Sequence, residues 1–224
     1  MEWLKTYMRV NEKGNIQYYK SPKTGLKVIV KRTPLREGLA EIQVLKRIKG
    51  GFFAKLLDYE VLGSEMALSL SDLGGMTFEA WMHTEENTPS TLKVLALNAF
   101  QALDSLHRQG FYHRDIRPEN IVVGEDRRVY LIDFGTSVRI GQIEPSTDEV
   151  FPTEYTAPEA VFLPAHYDGR SEIYAMARVF KKATSKYKVH CDPEFLDVLE
   201  RASEIIPEKR QKSAEEIVTE LYYI

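Results

Sequence analysis

The sequence predicts an α+β chain in two parts, and three observations carry that reading. Over residues 1–70 short β-like runs recur between turn signals, interrupted by one helical stretch. From residue 77 onward, apolar residues recur mostly at helical spacing. Between the two lies the turn SDLGG at 71–75, so the connection is placed at 71–76. The whole of 1–224 then reads as one domain, with a small β-rich part over 1–70 and a mainly helical part over 77–224.

Taken in order, the strands of the first part are expected at 6–10, 15–20, 26–30, 56–62 and 66–70, with NEKGN and SPKTG as turns between the first three. Its one helix is expected over 37–48, with Leu39, Ile42, Leu45 and Ile48 on one face. In the second part, helices are expected at 77–83 and 90–109, where Leu95, Ala96, Phe100 and Leu103 recur at helical spacing. Runs at 121–123 and 129–132 bracket the turn GEDRR and predict a hairpin set among helices. Helical patterns return at 171–183, 193–205 and 213–222, and no internal repeat occurs.

Bulk properties exclude several classes. A chain of 224 residues with 43% hydrophobic residues can bury a substantial core. A net charge of −3 gives no pull toward nucleic acid or an anionic membrane surface, so neither is expected as a partner. Cys191 is the single cysteine, which rules out an internal disulfide framework, and with His190 it lacks the further ligands of a zinc site. MEWLKTYMRV has no leader pattern and no run of about 18 apolar residues occurs, so the expectation is a cytoplasmic, reducing compartment.

The chemistry-bearing residues cluster around FYHRDIRPENIVV at 111–123. Asp115 is followed five positions later by Asn120, on an irregular loop entering a strand, a spacing that lets one side chain face a hydroxyl while the other reaches a metal. Eighteen residues past Asp115, Asp133 in LIDFG ends a β-run and can project toward a divalent cation. Mg²⁺ favours a few carboxylate or amide oxygens together with phosphate oxygens and water, and Asn120 with Asp133 match that inventory. Upstream, VIVK ends a strand at Lys31 and Glu41 sits on the first helix; paired, they would hold a cation against nucleotide phosphates. Each motif alone also fits a surface turn; their order and spacing argue for function.

The set resembles the eukaryotic-type protein kinase family, over nearly the whole chain. Lys31 matches the strand lysine, Glu41 the helix glutamate, His113-Arg114-Asp115 through Asn120 the catalytic loop, Asp133-Phe134-Gly135 the metal-binding turn, and Ala157-Pro158-Glu159 the end of the activation segment. The resemblance implies a bilobal kinase-like fold, ATP and Mg²⁺ (or Mn²⁺) as cofactors, a protein substrate, and Arg210 paired with Glu159. By the same resemblance Lys31 holds the α- and β-phosphates, Asn120 and Asp133 hold the metal, and Asp115 orients the acceptor hydroxyl and takes its proton. Arg117 stands where the family has a lysine and is assigned to steadying the γ-phosphate. Around the nucleotide, Gly14 and Ile16 match the glycine-rich loop, Ile29 the residue over adenine, Leu70 the gatekeeper and Ser71 to Leu73 the linker, and Val122 is a further cofactor-binding position.

Departures from the family pattern define further expectations. Arg9 and Asn11 fall on the first two glycines of the phosphate loop, which weakens close backbone approach to phosphates, while NEKGN also fits a plain hairpin turn. Short spacings predict a trimmed first helix and a reduced or absent helix G. Glu172 stands where an aspartate braces the catalytic loop. Pro152 resembles the tyrosine-kinase form, whereas IRPEN resembles the serine/threonine form; serine/threonine specificity is favoured, with dual specificity open. Ser146 or Thr147 is the expected autophosphorylation site, and Arg114 its phosphate partner. A non-catalytic scaffold and a small-molecule kinase are the rivals to an active protein kinase, and the basic run 178–188 is a second-rank candidate for an acidic partner.

Overall fold

The computed structural model describes residues 1–142 and 152–224, the side chains of Glu2 and Trp3 excepted. After a 3₁₀ turn at Glu2–Thr6, strands β1 (Met8–Lys13), β2 (Ile16–Lys20) and β3 (Lys27–Pro34) form an antiparallel meander. Helix α1 (Leu35–Leu45) follows at once, then β4 (Leu56–Leu62) and β5 (Glu65–Ser71). The five strands make one antiparallel sheet in the order β1-β2-β3-β5-β4. β3 and β5 are its central strands, and Val28, Val30, Met66, Ala67 and Leu68 are buried there. β-branched residues favour such a pleated, packed surface.

Helix α1 starts two residues earlier than expected, because Pro34 pre-sets the turn out of β3 and leaves the chain ready to coil. It lies close on the sheet at Gly38, where a Cβ would come within 2.9 Å of Met66. The buried positions are Gly38, Glu41, Ile42, Val44 and Leu45, and Leu39 is 48% exposed. The expected stripe of every third residue was wrong at this point: steps of three fall behind a 3.6-residue turn, so Leu39 and Ile48 end on opposite sides. Ile48 is buried, but in the turn after the helix.

A connection over 72–75 leads to the short strand β6 (Met76–Thr77) and helix α2 (Phe78–Trp81), whose N-cap Thr77 accepts a bond from the Ala80 amide. Helix α3 (Pro89–Arg108) begins at a Thr88 cap with proline in its first turn, the position proline tolerates best. It buries Leu92, Leu95, Ala96, Ala99, Phe100, Leu103 and Leu106. Strand β7 (Phe111–Tyr112), the hairpin of β8 (Ile121–Val123) and β9 (Val129–Leu131), and β10 (Val138–Arg139) come next. β7 pairs with β10, and β6 pairs with β8, so this hairpin is set among helices as expected.

Helix α4 (Pro158–Phe162) precedes the long helix α5 (Gly169–Lys186), whose capping box joins Asp168 and Ser171. Between α5 and the last helix, α7 (Ala214–Tyr223), stand one α-helix, α6 (Pro193–Ala202), and a 3₁₀ turn at Pro207–Lys209. α3 packs on both α5 and α7, and the apolar core runs from Ile42 and Leu45 of α1 through α3 and α5 to Leu221 of α7. No helix of the described residues is long and apolar enough to cross a membrane.

One buried ion pair ties the helical part together. Arg210 reaches Glu159 through two parallel bonds of 2.6 and 2.9 Å, and spends its other donors on the carbonyls of Arg170, Glu204 and Ile205. Ser171 donates to the same carboxylate at 2.8 Å. These bonds and the Arg210 charge bring the Glu159 carboxyl below its usual range, although burial acts the other way. Removing one partner strands a buried charge. Arg210→Ala is therefore expected to lower stability by about 3–5 kcal/mol, measured by urea unfolding; a loss below about 1 kcal/mol would show that the pair is not holding these helices.

Candidate functional site

Strand β3 places Lys31 in the sheet and α1 places Glu41 facing it. The Lys31 ammonium lies 2.8 Å from Glu41 Oε2 and 2.7 Å from Asp133 Oδ1. Lys31 and Glu41 are both buried, whereas the Asp133 side chain keeps 42% of its surface open. Burial alone would lower the Lys31 pKa, but the two carboxylates outweigh it and the pKa lies above the usual lysine value. Burial raises the Asp133 carboxyl, and the Lys31 charge and bond more than reverse that, leaving it below its usual range. Glu41 moves the other way: its near-complete burial raises it, only partly offset by Lys31. The charged lysine is thus the centre of the cluster.

The loop carrying Asp115 is fastened to the strand end carrying Asp133 by the main chain of Ile132. The Ile132 amide donates to the Asn120 carbonyl at 3.0 Å, and His113 Nε2 bonds the Ile132 carbonyl at 3.0 Å. A carbonyl only accepts, so His113 carries its proton on Nε2, and its Nδ1 receives the Asp115 amide at 3.4 Å. Thr136 and Ser137 donate to the His113 carbonyl. Phe134 is fully buried, edge-on to Phe53 and against His113. Arg114 and Asp133 both adopt positive φ, 69° and 67°, a backbone state that non-glycine residues enter at a cost and that these bonds hold in place.

Within the loop, Asn120 Nδ2 donates to the Asp115 carbonyl at 2.9 Å and to Asp115 Oδ2 at 2.7 Å. That spends the amide nitrogen and leaves the amide oxygen of Asn120 as a hard donor, with Asp133 Oδ2 as a second. The two fit the oxygen set a magnesium ion takes. Arg117 Nε stands 3.6 Å from Asp115 Oδ2 and 3.8 Å from Glu119 Oε2. It makes no hydrogen bond there. The guanidinium is near the carboxylate without being locked to it.

A brace that the sequence reading only partly anticipated comes from α5. Glu172 Oε1 accepts the Arg114 amide at 2.6 Å and the Tyr167 hydroxyl at 2.8 Å. Its other oxygen is 2.6 Å from His107 Nε2, at the last turn of α3. His107 and Tyr167 carried no motif; only their place beside the loop in three dimensions makes them part of it.

The residues expected around a nucleotide sit mostly as strand neighbours. Ile16 is opposite Lys31 across β2 and β3, and Ile29 is opposite Leu70 across β3 and β5. Leu70 is buried; Ile16, Ile29 and Val122 are half-buried. The linker narrows: the Ser71 amide is taken by the Lys55 carbonyl and its hydroxyl by the Lys55 amide, leaving the backbone of Leu73 unbonded among the described residues. Gly14 forms the turn between β1 and β2 with φ 59°, which glycine enters freely. Arg9 pairs with Glu12, Asn11 accepts the Glu12 amide, and a bulge lies between Arg9 and Asn11. NEKGN is thus a hairpin turn.

Of the expected modification sites, Ser146 and Thr147 lie outside the described residues. Thr153 bonds Thr156, and Tyr155 is buried under the Lys182 ammonium. The basic run 178–188 is largely neutralised within the chain, with Lys181 on Glu200, Lys182 on Glu154 and Lys186 on Glu79.

Comparison with known proteins gives one family: a model described as the protein kinase domain matches residues 13–222. A Dictyostelium discoideum protein named as a probable serine/threonine-protein kinase is 31% identical over 149 residues, covering 66% of this chain and 29% of that protein. A protein of Encephalitozoon cuniculi, named as a probable cAMP-dependent protein kinase catalytic subunit, is 30% identical over 175 residues, 73% of this chain and 50% of the relative. Serine/threonine-protein kinase PAK 5 of Rattus norvegicus is 26% identical over 170 residues, 71% of this chain and 24% of that protein. The matched region is thus half or less of each relative's own length.

The Glu172 brace yields a pH prediction. Burial raises this carboxyl, but the His107 bond and charge, with help from the Arg114 amide, bring it below its usual range. A group depressed in the folded state contributes stability that is complete above its ordinary value of 4.5 and is lost as pH falls through the folded value. Thermal unfolding should show wild type well above Glu172→Gln at pH 7, the gap closing as pH drops below about 4.5. A gap that stays constant into acid contradicts a charged brace.

Proposed function

Because the chain belongs to the protein kinase family, we propose that it is an active protein kinase, transferring the γ-phosphate of Mg-ATP to a protein hydroxyl, serine or threonine in preference to tyrosine. The observation that carries this reading is Lys31 bonded at once to Glu41 and Asp133, with Asp115 and Asn120 tied to the same strand end. The names of the relatives support serine/threonine acceptors, and the buried Glu159 to Arg210 pair supports a protein over a small-molecule acceptor. Work in the cytoplasm is part of the proposal.

In this mechanism Lys31 stays protonated and holds the α- and β-phosphates, kept in place by Glu41. Asn120 and Asp133 would hold Mg²⁺, or Mn²⁺ in its stead, which when bound supplies positive charge against the phosphate oxygens. Asp115 has one oxygen spent on Asn120 and one free for the acceptor hydroxyl. The hydroxyl oxygen bonds to the γ-phosphorus, the bond from that phosphorus to the β-phosphate oxygen breaks, ADP leaves, and the proton goes to the Asp115 carboxylate. Arg117 steadies the γ-phosphate. The protein's contribution is positioning and preorganised charge.

The test is transfer from radiolabelled ATP with Mg²⁺, offering protein and small-molecule acceptors. Asp115→Ala is expected to cost about 10²–10⁴-fold in rate, and Asp133→Ala to abolish turnover. Arg117→Lys should keep most activity and Arg117→Ala lose it; unchanged transfer in the alanine variant removes Arg117 from the mechanism. Arg9 and Asn11 in the phosphate loop favour a second reading, a nucleotide-binding scaffold, which wild type would establish by binding ATP without transferring it. Peptide mapping after the same incubation tests Ser146 or Thr147 as the site of self-phosphorylation, and phosphate found only elsewhere refutes it.

A further inference from the structure

The hairpin of β1 and β2 brings a second lysine onto the face of the sheet that holds Lys31. Directly opposed residues of an antiparallel pair project to the same side. Lys13 opposes Ile16, Ile16 opposes Lys31 and Lys31 opposes Leu68, so these four form one line across β1, β2, β3 and β5. Asn11 falls on the next line of the same face, with Tyr18, Ile29 and Leu70. The charged groups of the hairpin's other face are spent on one another: Glu12 opposes Gln17 and accepts its side-chain amide at 3.1 Å, and the same carboxylate pairs with Arg9. Asn15 donates to the Arg32 carbonyl at 2.7 Å and the Arg32 amide to the Asn15 carbonyl at 2.9 Å, which pins the turn beside Lys31. Lys13 is exposed and has no hydrogen bond or ion pair among the described residues.

We propose that the Lys13 ammonium binds the terminal phosphate of the nucleotide, supplying from a side chain the contact that backbone amides lose where Arg9 and Asn11 replace glycine; the inference deepens the kinase reading and rests on it. Neighbouring strands stand about 4.8 Å apart, so Lys13 and Lys31 start about 10 Å apart on one face, a gap that two extended lysine side chains close on a single triphosphate. Glycine lets main-chain amides approach a phosphate closely. An ammonium on a flexible four-carbon stem needs no such approach and brings three donors. Position along the sheet selects the phosphate: Ile29 and Leu70 lie toward the linker, Lys31 takes the inner phosphates, and Lys13, two strands out at the hairpin tip, meets the far end of the chain. Arg9 cannot stand in for it, since Arg9 opposes Tyr19 on the other face.

Calorimetric titration of the full chain with adenosine, ADP and the non-hydrolysable β,γ-imido analogue of ATP, each with Mg²⁺, reads this contact without turnover. Wild type is expected to bind the analogue more tightly than ADP. Lys13→Ala should bind the analogue about tenfold more weakly and lose the preference over ADP, with adenosine affinity changed by less than about twofold. Lys13→Arg should keep the preference. Arg9→Ala removes the same unit of charge from the other face and should leave the analogue's affinity unchanged. Thermal unfolding checks that each variant folds, with Lys13→Gln as the substitute if alanine disturbs the hairpin. Unchanged analogue affinity in Lys13→Ala, a loss equal for ADP and the analogue, or an equal loss in Arg9→Ala overturns the inference and leaves the kinase reading standing. A wild type that binds none of the three compounds removes that reading, and this inference with it.

Discussion

A lysine taken out of water between two carboxylates is the constraint on which the rest of this protein depends. Lys31 comes from the centre of the sheet, Glu41 from the one helix laid on it, and Asp133 from the strand end beyond β9, 102 residues along the chain from Lys31. An ammonium as buried as this is tolerated only when compensated. Each element is therefore positioned as much by the need to meet that charge as by packing. The close seat of α1 at Gly38 and the central place of β3 follow the same logic: both bring Glu41 and Lys31 within 2.8 Å.

The second half of the site is organised by backbone groups more than by side chains. Ile132 offers its amide and carbonyl to the loop of Asp115, and Glu172 collects the Arg114 amide, Tyr167 and His107 on one buried carboxylate. Glu172 does this from the first turn of α5, where the capping box joins Asp168 and Ser171. Further out, Arg210 does for α4, α5 and the approach to α7 what Glu172 does for the loop. Two buried charges, Arg210 with its donors spent and Glu172 with both oxygens bonded, hold an irregular loop and its supporting helices in one arrangement.

Much of this was legible in the sequence, for physical reasons that can be named. Hydrophobic period separated the strands of 1–70 from the later helices, α3 among them, whose Thr88 cap and first-turn proline only the structure identifies. The order and spacing of Lys31, Glu41, Asp115, Asn120 and Asp133 pointed to one site, because the set resembles that of the protein kinase family. What stayed hidden was set in three dimensions. His107 and Tyr167 are ordinary residues until α5 brings Glu172 to them, and the outward turn of Leu39 depends on where Pro34 lets α1 begin. The use of the Ser71 amide on the Lys55 carbonyl is likewise a pairing that β-register decides and composition does not.

The central claim is that Lys31, Glu41 and Asp133 act as one unit in phosphoryl transfer, and a double-mutant cycle measures this directly. Rates with ATP and Mg²⁺ are compared for wild type, Lys31→Met, Glu41→Gln and the double variant. If Glu41 works through Lys31, adding Glu41→Gln to Lys31→Met costs almost nothing, and the coupling falls in the range of about 0.5–3 kcal/mol expected for residues in contact. Costs that simply add, with no coupling, would contradict the account.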